Sequence, residues 1–331
     1  MNLSIYRSCL QGLVLAAIAV GTSYAVNAQG YPNKPITIKV AFPAGGPADV
    51  SIRAANIVLQ RNLGSSLITE NVPGANGSIS VMAVLRAGPD GYTLLGTTGT
   101  DFLIAPFMVA SAKYEPEKFR LLGVVGISDF VLLSGNAHSF KNVDELIAYA
   151  RKPGSKELTL AHWGTGSTSH IVGADLQQRT GAKFLEVPYR GVAPVLADMS
   201  GGHIDLTFAP LGGSTLSLIQ TGQVKALAVA SANRNPALPE VPTIGESAWG
   251  RNFEYSLWSA LFAPPGTADE VVTRLNGAMN VWTTSEDNLA RIQRDASRRL
   301  EPMSVDQAEA FLKSERDKYI AMVRALDLQP Q

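Results

Sequence analysis

Ile36-Thr37-Ile38-Lys39-Val40-Ala41-Phe42-Pro43-Ala44-Gly45-Gly46-Pro47-Ala48-Asp49 is the stretch on which the fold turns. Its first seven residues alternate apolar and other side chains as a half-buried strand does, and the alternation stops at Pro43-Ala44-Gly45-Gly46. A helix should follow. Pro47 has the fixed φ that suits a first helical position, Asp49 sits in the first turn, and Val50, Ala54, Ile57 and Val58 fall on one face. A strand running through a glycine turn into a helix is the unit from which helices are laid over a mostly parallel sheet, so the fold class is α/β.

The unit repeats outward from there. Leu67 to Thr69 and Tyr92 to Leu95 read as strands, the latter entered through the turn Pro89-Asp90-Gly91. Leu121 to Val125 and Phe130 to Leu133 read as two more, and Asn142 with Glu145 is placed to cap a helix bearing Val143, Leu146, Ile147 and Ala150. Strands at Leu158 to Ala161, Phe184 to Val187, Ile204 to Phe208 and Val224 to Ala230 alternate with helical segments near Ser169 to Arg179 and Val192 to Met199. After a late strand, Leu257 to Phe262, the rest is helical, with Thr267 placed to cap one helix and Ser304 with Gln307 another. A helical tail packs best on a sheet that already exists, which predicts a chain that leaves its first domain and returns.

Arg7, an apolar run from Leu10 to Val20 and the small-residue site Val26-Asn27-Ala28 predict a cleavable signal peptide over residues 1–28, and hence export to the periplasm. The only cysteine, Cys9, leaves with it, so no disulfide is expected. Cleavage after Ala28 leaves 303 residues, enough for two domains, with 27 Lys+Arg against 28 Asp+Glu once Arg7 is gone. That balance argues against a nucleic-acid surface.

Open α/β sheets bind ligands beyond the carboxyl ends of their strands, and three such loops are rich in small and hydroxyl residues. In Phe42–Asp49 the glycines let a ligand approach the backbone, and the first-turn amides suit a carboxylate without any cationic side chain. Asp49 is also placed to turn back on the Gly46 amide and stiffen the loop. Gly96-Thr97-Thr98-Gly99-Thr100 and Gly164-Thr165-Gly166-Ser167-Thr168 supply hydroxyls and flexible amides, although helix capping is the commoner use of Ser and Thr there. Three donor-rich loops in one topological place suit a cleft between domains.

Catalytic patterns are missing from the sequence. There is no Gly-x-Ser-x-Gly elbow, no Walker lysine and no complete dinucleotide fingerprint. The four histidines, His138, His162, His170 and His203, form no i, i+4 pair, so neither a metal site nor a cofactor is expected.

Seven motifs in order carry a family resemblance over nearly the whole mature chain: Tyr31-Pro32-Asn33-Lys34-Pro35-Ile36, Phe42-Pro43-Ala44-Gly45-Gly46 with Asp49, Asn71-Val72-Pro73-Gly74-Ala75, Pro89-Asp90-Gly91-Tyr92-Thr93-Leu94-Leu95, Val187-Pro188-Tyr189-Arg190-Gly191, Gly201-Gly202-His203-Ile204-Asp205-Leu206 and Ala237-Leu238-Pro239-Glu240-Val241-Pro242-Thr243. Leu261-Phe262-Ala263-Pro264-Pro265-Gly266-Thr267 closes the series. The sequence resembles the Bug-type solute-binding proteins of tripartite tricarboxylate transporters.

The resemblance implies a type II periplasmic-binding fold with two α/β domains: residues 29–128 and 252–331 in the first, 129–251 in the second. It implies closure of both around a small organic acid, a mono- or dicarboxylate, and delivery to a membrane permease. By carry-over, Phe42, Ala44, Gly45, Gly46 and Asp49, with Thr97, Thr98 and Thr100, line one wall. Gly164, Thr165, Ser167, Ala209 and Pro210 line the other, while Tyr189 and Arg190 serve equally well as packing or as contacts.

Two departures bear on the ligand. His162 and Trp163 stand where the family has small residues, which favours an aromatic or compact acid. Ala209 and Pro210 stand where many relatives have an acid and Asn, so the cleft should lack a partner for a ligand amine and bind amino acids poorly. A secreted α/β hydrolase acting on a carboxylic ester, or a ligand-sensing accessory of a membrane signalling system, are the alternative readings. Nothing in the motifs demands self-association, so a monomer is expected.

Overall fold

A computed structural model of the chain describes residues 30–326; the expected signal peptide and Cys9 lie outside them. From Pro32 onward the chain forms one unit. Strand β1 (Ile36–Val40) runs into helix α1 (Pro47–Leu63), with proline in its first turn as the sequence predicts. Then come β2 (Leu67–Asn71), α2 (Ser78–Ala87), β3 (Thr93–Thr98) and α3 (Gly99–Met108). β1 lies between β2 and β3 and pairs with both in parallel.

The two strands expected between Leu121 and Leu133 are one, β4 (Arg120–Gly135), sixteen residues long. Beyond it follow α4 (Val143–Ala150), β5 (Thr159–His162), α5 (Thr168–Thr180), β6 (Leu185–Pro188), α6 (Val192–Ser200), β7 (Leu206–Pro210), α7 (Gly213–Gln220) and β8 (Val224–Val229). The chain then returns through β9 (Ser256–Ala263) and ends in α8 (Asp269–Thr284), α9 (Glu286–Asp295) and α10 (Val305–Ala325).

β4 is the joint of the molecule. Up to Asp129 it pairs antiparallel with β9, whose other edge pairs with β3, giving the order β2-β1-β3-β9-β4. From Phe130 it pairs instead with β7 and β8, both antiparallel, and β7 carries the parallel strands β5 and β6 beyond it. The sheet is therefore mixed rather than mostly parallel, because the strand that crosses and the strand that returns both run against their neighbours.

Each half has its own packing. Phe102 meets Tyr114, Phe119 and Phe262 at ring separations of 4.7 to 5.3 Å in the first. Phe130, Leu146, Ile171 and Phe208 are buried in the second. Full burial of such side chains contributes roughly 1.5–3 kcal/mol each before chain entropy is counted. Local signals mostly act as read: Asn142 accepts the Glu145 amide, and Ser304 and Gln307 form a reciprocal capping box. Thr267 does not cap α8; its hydroxyl goes to the Pro264 carbonyl and the helix starts without a side-chain cap. No helix among the described residues is long and apolar enough to cross a membrane.

Candidate functional site

The loop between β1 and α1 is stiffened by its own carboxylate. Asp49 is buried, and its Oδ2 accepts the Gly45 amide at 3.0 Å, one residue earlier than the Gly46 amide that the sequence suggested. Its Oδ1 accepts from Arg53 Nε and Asn71 Nδ2, both at 2.8 Å, and Asn71 also donates to the Phe42 carbonyl. Gly46 in turn donates to Pro43 O at 3.3 Å. Two of the amides expected to face a ligand thus hold the loop's own shape.

A second carboxylate, unforeseen from the sequence, lies between the halves. Asp101, in the first turn of α3, is 1% exposed. It accepts the Thr98 hydroxyl at 2.6 Å from its own half. From the other half it accepts the Thr168 amide and hydroxyl, each at 2.7 Å, and Trp163 Nε1 at 3.4 Å. Thr168 opens α5, whose first-turn amides lack partners within the helix, so Asp101 supplies from the other half an acceptor for one of them. Burial pushes its pKa up, against the opposing pull of the Thr98, Thr168 and Trp163 hydrogen bonds. Gly166 is needed for the same contact: its φ is +74°, and a Cβ there would lie 2.4 Å from Met108 Cβ on α3.

His162 and Trp163 part company. Trp163 stacks on Phe130 at 5.6 Å and also lines the cleft, so it is both core and wall. His162 is buried against the His170 ring at 4.7 Å and lines neither the chamber nor the groove between the halves. Burial, with the His170 charge adding to it, lowers its pKa to about 4. His162, His170 and Glu186 each bring one potential metal-ligand atom within 4.8 Å of the others. Their hydrogen bonding argues against a metal. The Gly164 and Gly166 amides donate to Nδ1 of His162 and His170 at 3.3 and 3.1 Å, which leaves the proton of each neutral ring on Nε2. A ligating imidazole has the reverse arrangement, donating from its free nitrogen. His170 Nε2 accordingly lies 3.3 Å from Glu186, whose pKa is lowered chiefly by that hydrogen bond.

The space between the halves falls into compartments. Around Thr98, Asp101 and Trp163, closed by Phe42, Gly46 and Gly191–Pro194, there remains about 20 Å³, room for about one water molecule. Beside it a groove of about 680 Å³ runs between Phe42–Pro43 and Pro73–Gly77 on one wall and Trp163–Thr165 with Tyr189 and Arg190 on the other. That is the size of an organic-ligand site. Ala75 and Asn76 on its rim both have positive φ, 45° and 49°, a strained pair of the kind that persists at binding sites. Asn76 Nδ2 reaches across to the Gly166 carbonyl at 3.2 Å, and its buried Oδ1 has no partner among the described residues. Arg190 is exposed at the groove and forms no ion pair among the described residues.

The sequence-predicted residues are therefore only partly brought together. Phe42, Trp163, Gly164 and Thr165 line the groove, and Phe42, Gly46, Thr98 and Trp163 the small chamber. Gly45 and Pro210 line a third, separate cavity. Ala44 is exposed and Ala209 buried inside β7, neither lining the groove, the chamber or the third cavity. Thr97 is buried beside Gly77, and Thr100 neighbours Tyr319 of α10. Ser167 caps α5, accepting the His170 amide. An acid does line the chamber, Asp101, but its oxygens are already taken by Thr98, Thr168 and Trp163. Sequence reading missed Asp101, though Thr98-x-x-Asp101 before an apolar run is a capping-box spacing that marks the residue as polar and placed.

Comparison with known proteins agrees with this architecture. The profile of the tripartite tricarboxylate transporter family receptor matches residues 51–328. Protein BugT of Bordetella pertussis is 31% identical over 311 residues, 92% of this chain and 93% of BugT. Among solved structures, the periplasmic binding protein BugD superposes with a TM-score of 0.83 at 31% identity, covering 91% of this chain and all of BugD. MatC from Rhodopseudomonas palustris with bound malate gives 0.82 at 26%, covering 88% of this chain and all of MatC. Rpa4515 of R. palustris with adipate gives 0.84 at 27%, covering 91% of this chain and all of Rpa4515. The chain belongs to the receptor family of the tripartite tricarboxylate transporters and, with its type II periplasmic-binding fold, is a solute-binding receptor of the Bug type rather than an enzyme.

Proposed function

We propose that this receptor, exported to the periplasm, captures a small organic acid in the groove between its halves and delivers it to a tripartite tricarboxylate-type membrane transporter. The observation that carries this reading is the groove itself: about 680 Å³, walled by loops of both halves and lined by Pro73–Gly77, Trp163 and Arg190, which is exposed and forms no ion pair among the described residues. A cation with no internal partner beside glycine-rich turns selects an anionic ligand, and Arg grips a carboxylate through two parallel N–H bonds. The malate and adipate carried by MatC and Rpa4515 agree with a carboxylate.

Residues 29–128 with 252–331 act as one lobe and 129–251 as the other, hinged where β4 exchanges partners. The ligand favours the closed form by the contacts it makes only there. Asp101 already joins the lobes at one end, so the ligand has only the groove end left to draw together.

Isothermal titration with malate, adipate and benzoate against the wild type and Arg190→Ala is the test. Saturable binding of at least one acid, weakened about ten-fold or more by Arg190→Ala, is expected. Binding of none, or affinity for the acids indifferent to Arg190, would sink the reading.

A further inference from the structure

A third cavity, about 70 Å³, adjoins the small chamber and shares Pro47, Val192 and Ala193 with it. Its character is different. The chamber's wall is largely apolar, whereas here Ser51, Ser128, Ser214 and Ser297 line the space, and none of their hydroxyls is hydrogen-bonded among the described residues. Both halves contribute: Ser51 from α1 and Arg291 from α9 on one side, the turn from β7 into α7 on the other.

Two independent features point to what such a cavity holds. One is the start of α7, which has no side-chain cap. Thr215 and Leu216 donate to the Gly212 carbonyl, which leaves the Gly213 and Ser214 amides without helical partners. The other is Arg291, 4% exposed. Its Nη2 donates to Val125 O at 3.0 Å and to Asn288 Oδ1 at 3.3 Å, but its buried Nε has no partner among the described residues, and Nη1 comes no nearer than 3.9 Å to Asp295. Asp295 is itself taken by Arg294 Nε at 2.9 Å. Two guanidinium groups thus share one carboxylate, and the surplus positive charge is the buried one. A buried cation with open donors is costly unless an anion joins it.

The backbone is shaped to set these parts side by side. Gly212 has φ +137°, and a Cβ there would lie 2.9 Å from the Asp295 carbonyl, so only glycine lets the end of α9 reach the start of α7. We propose that this cavity is a second binding site, for a small oxoanion such as a carboxylate, held by Arg291, the Gly213 and Ser214 amides and the surrounding serine hydroxyls. A bound anion there ties α9 to the β7–α7 turn and so favours one placement of the two halves. The site stands apart from the groove and does not depend on what the groove takes.

Formate is the probe, titrated at constant ionic strength while the side-chain Nε–H resonance of Arg291 and the amide resonances of Gly213 and Ser214 are followed by NMR. Expected is a saturable shift of all three with one common affinity. Arg291→Lys should weaken it about ten-fold or more. Ser214→Pro, which deletes one amide and one hydroxyl at a first-turn position that tolerates proline, should do the same while preserving the helix. Repeating the titration with the groove saturated by malate or adipate tests the separation: formate bound with unchanged affinity is expected, and formate excluded would make the cavity part of the groove's own site and overturn a second one. Shifts that never saturate, or that leave Gly213 and Ser214 unmoved, overturn the proposal, as does unchanged affinity in both variants.

Discussion

Asp49 and Asp101 stand at the same place in two strand-to-helix units, β1–α1 and β3–α3, each in the first turn of the helix after its strand, yet they do opposite things. Asp49 turns inward to its own loop, binding Gly45, Arg53 and Asn71, all within the first half of the chain. Asp101 keeps only Thr98 from its own half and spends its remaining lone pairs on Thr168 and Trp163 across the junction. One carboxylate fixes the shape of a wall and the other fixes the distance between walls. A receptor that closes on its ligand needs both: a preformed face costs no ordering on binding, and a bridging contact biases the open-closed equilibrium.

The largest effect expected from breaking this pairing is at Asp101. Asp101→Ala leaves the Thr168 amide and Trp163 Nε1 buried without an acceptor, a loss of about 4 kcal/mol in unfolding free energy by urea titration. It also vacates the start of α5, so acids should bind with altered ranking in the same variant. A change below about 1 kcal/mol would mean that the contact does not hold the halves.

The pH profile sharpens the contrast, provided that His162 is removed from it. His162 has a folded-state pKa of about 4, below the ordinary 6.5, so the unfolded chain takes the proton first. The stability gained by keeping it neutral is complete above pH 6.5 and is lost as the pH falls toward about 4, on the order of 3 kcal/mol in all. His162→Gln should flatten that limb. Asp101 has the opposite sign, because its pKa is raised by burial: its contribution is complete below the usual carboxylate range and declines as pH rises through the raised value. In a His162→Gln background the advantage of Asp101 over Asp101→Asn should therefore be larger at pH 4 than at pH 7; the reverse ordering would contradict the burial assigned to it.

How far these roles could be read from the chain follows from what each depends on. Asp49 was legible as far as its partners are local: a glycine turn, a proline at the helix start and an acid in the first turn specify a stiffened loop within a few residues, whereas its bond to Asn71 was not. The strand-turn-helix alternation gave the fold class for the same reason. β4 was read as two strands because Gly126-Ile127-Ser128-Asp129 breaks the apolar run, and that break is where the strand passes from one set of partners to the other. Asp101 was illegible as a bridge because Thr168 lies 67 residues away and only the return of the chain brings it close. Periodicity also does not say which of two buried neighbours faces a cleft. His162 and Trp163 are adjacent on the strand end, yet one packs against His170 and the other reaches Asp101. Arg291 gave no signal at all, since an arginine in a helix reads as exposed until α8 and β4 are seen to cover it.

A smaller effect is expected at the inward-turned carboxylate. Asp49→Ala frees the Gly45 amide and the Asn71 side chain, but both lie near solvent and can be rehydrated, so about 2 kcal/mol is expected by urea unfolding. The groove wall should loosen with it, raising the dissociation constant of a bound acid through the off-rate rather than the on-rate. Stopped-flow measurement separates the two, and an unchanged off-rate would show that the loop keeps its shape without Asp49.

The smallest effect isolates charge from shape at the same site. Arg53 pairs with Asp49 at 2.8 Å over an i, i+4 spacing, but its side chain is 49% exposed, so solvent and salt screen most of the attraction. Arg53→Gln keeps a donor of similar reach and removes the charge, for which about 0.3 kcal/mol is expected at low ionic strength and nothing measurable at high. If it instead cost as much as Asp49→Ala, the loop would be held by the ion pair rather than by the Gly45 and Asn71 hydrogen bonds. The inward carboxylate would then be as salt-sensitive as a surface pair, while Asp101, buried and bonded only to neutral donors, would not.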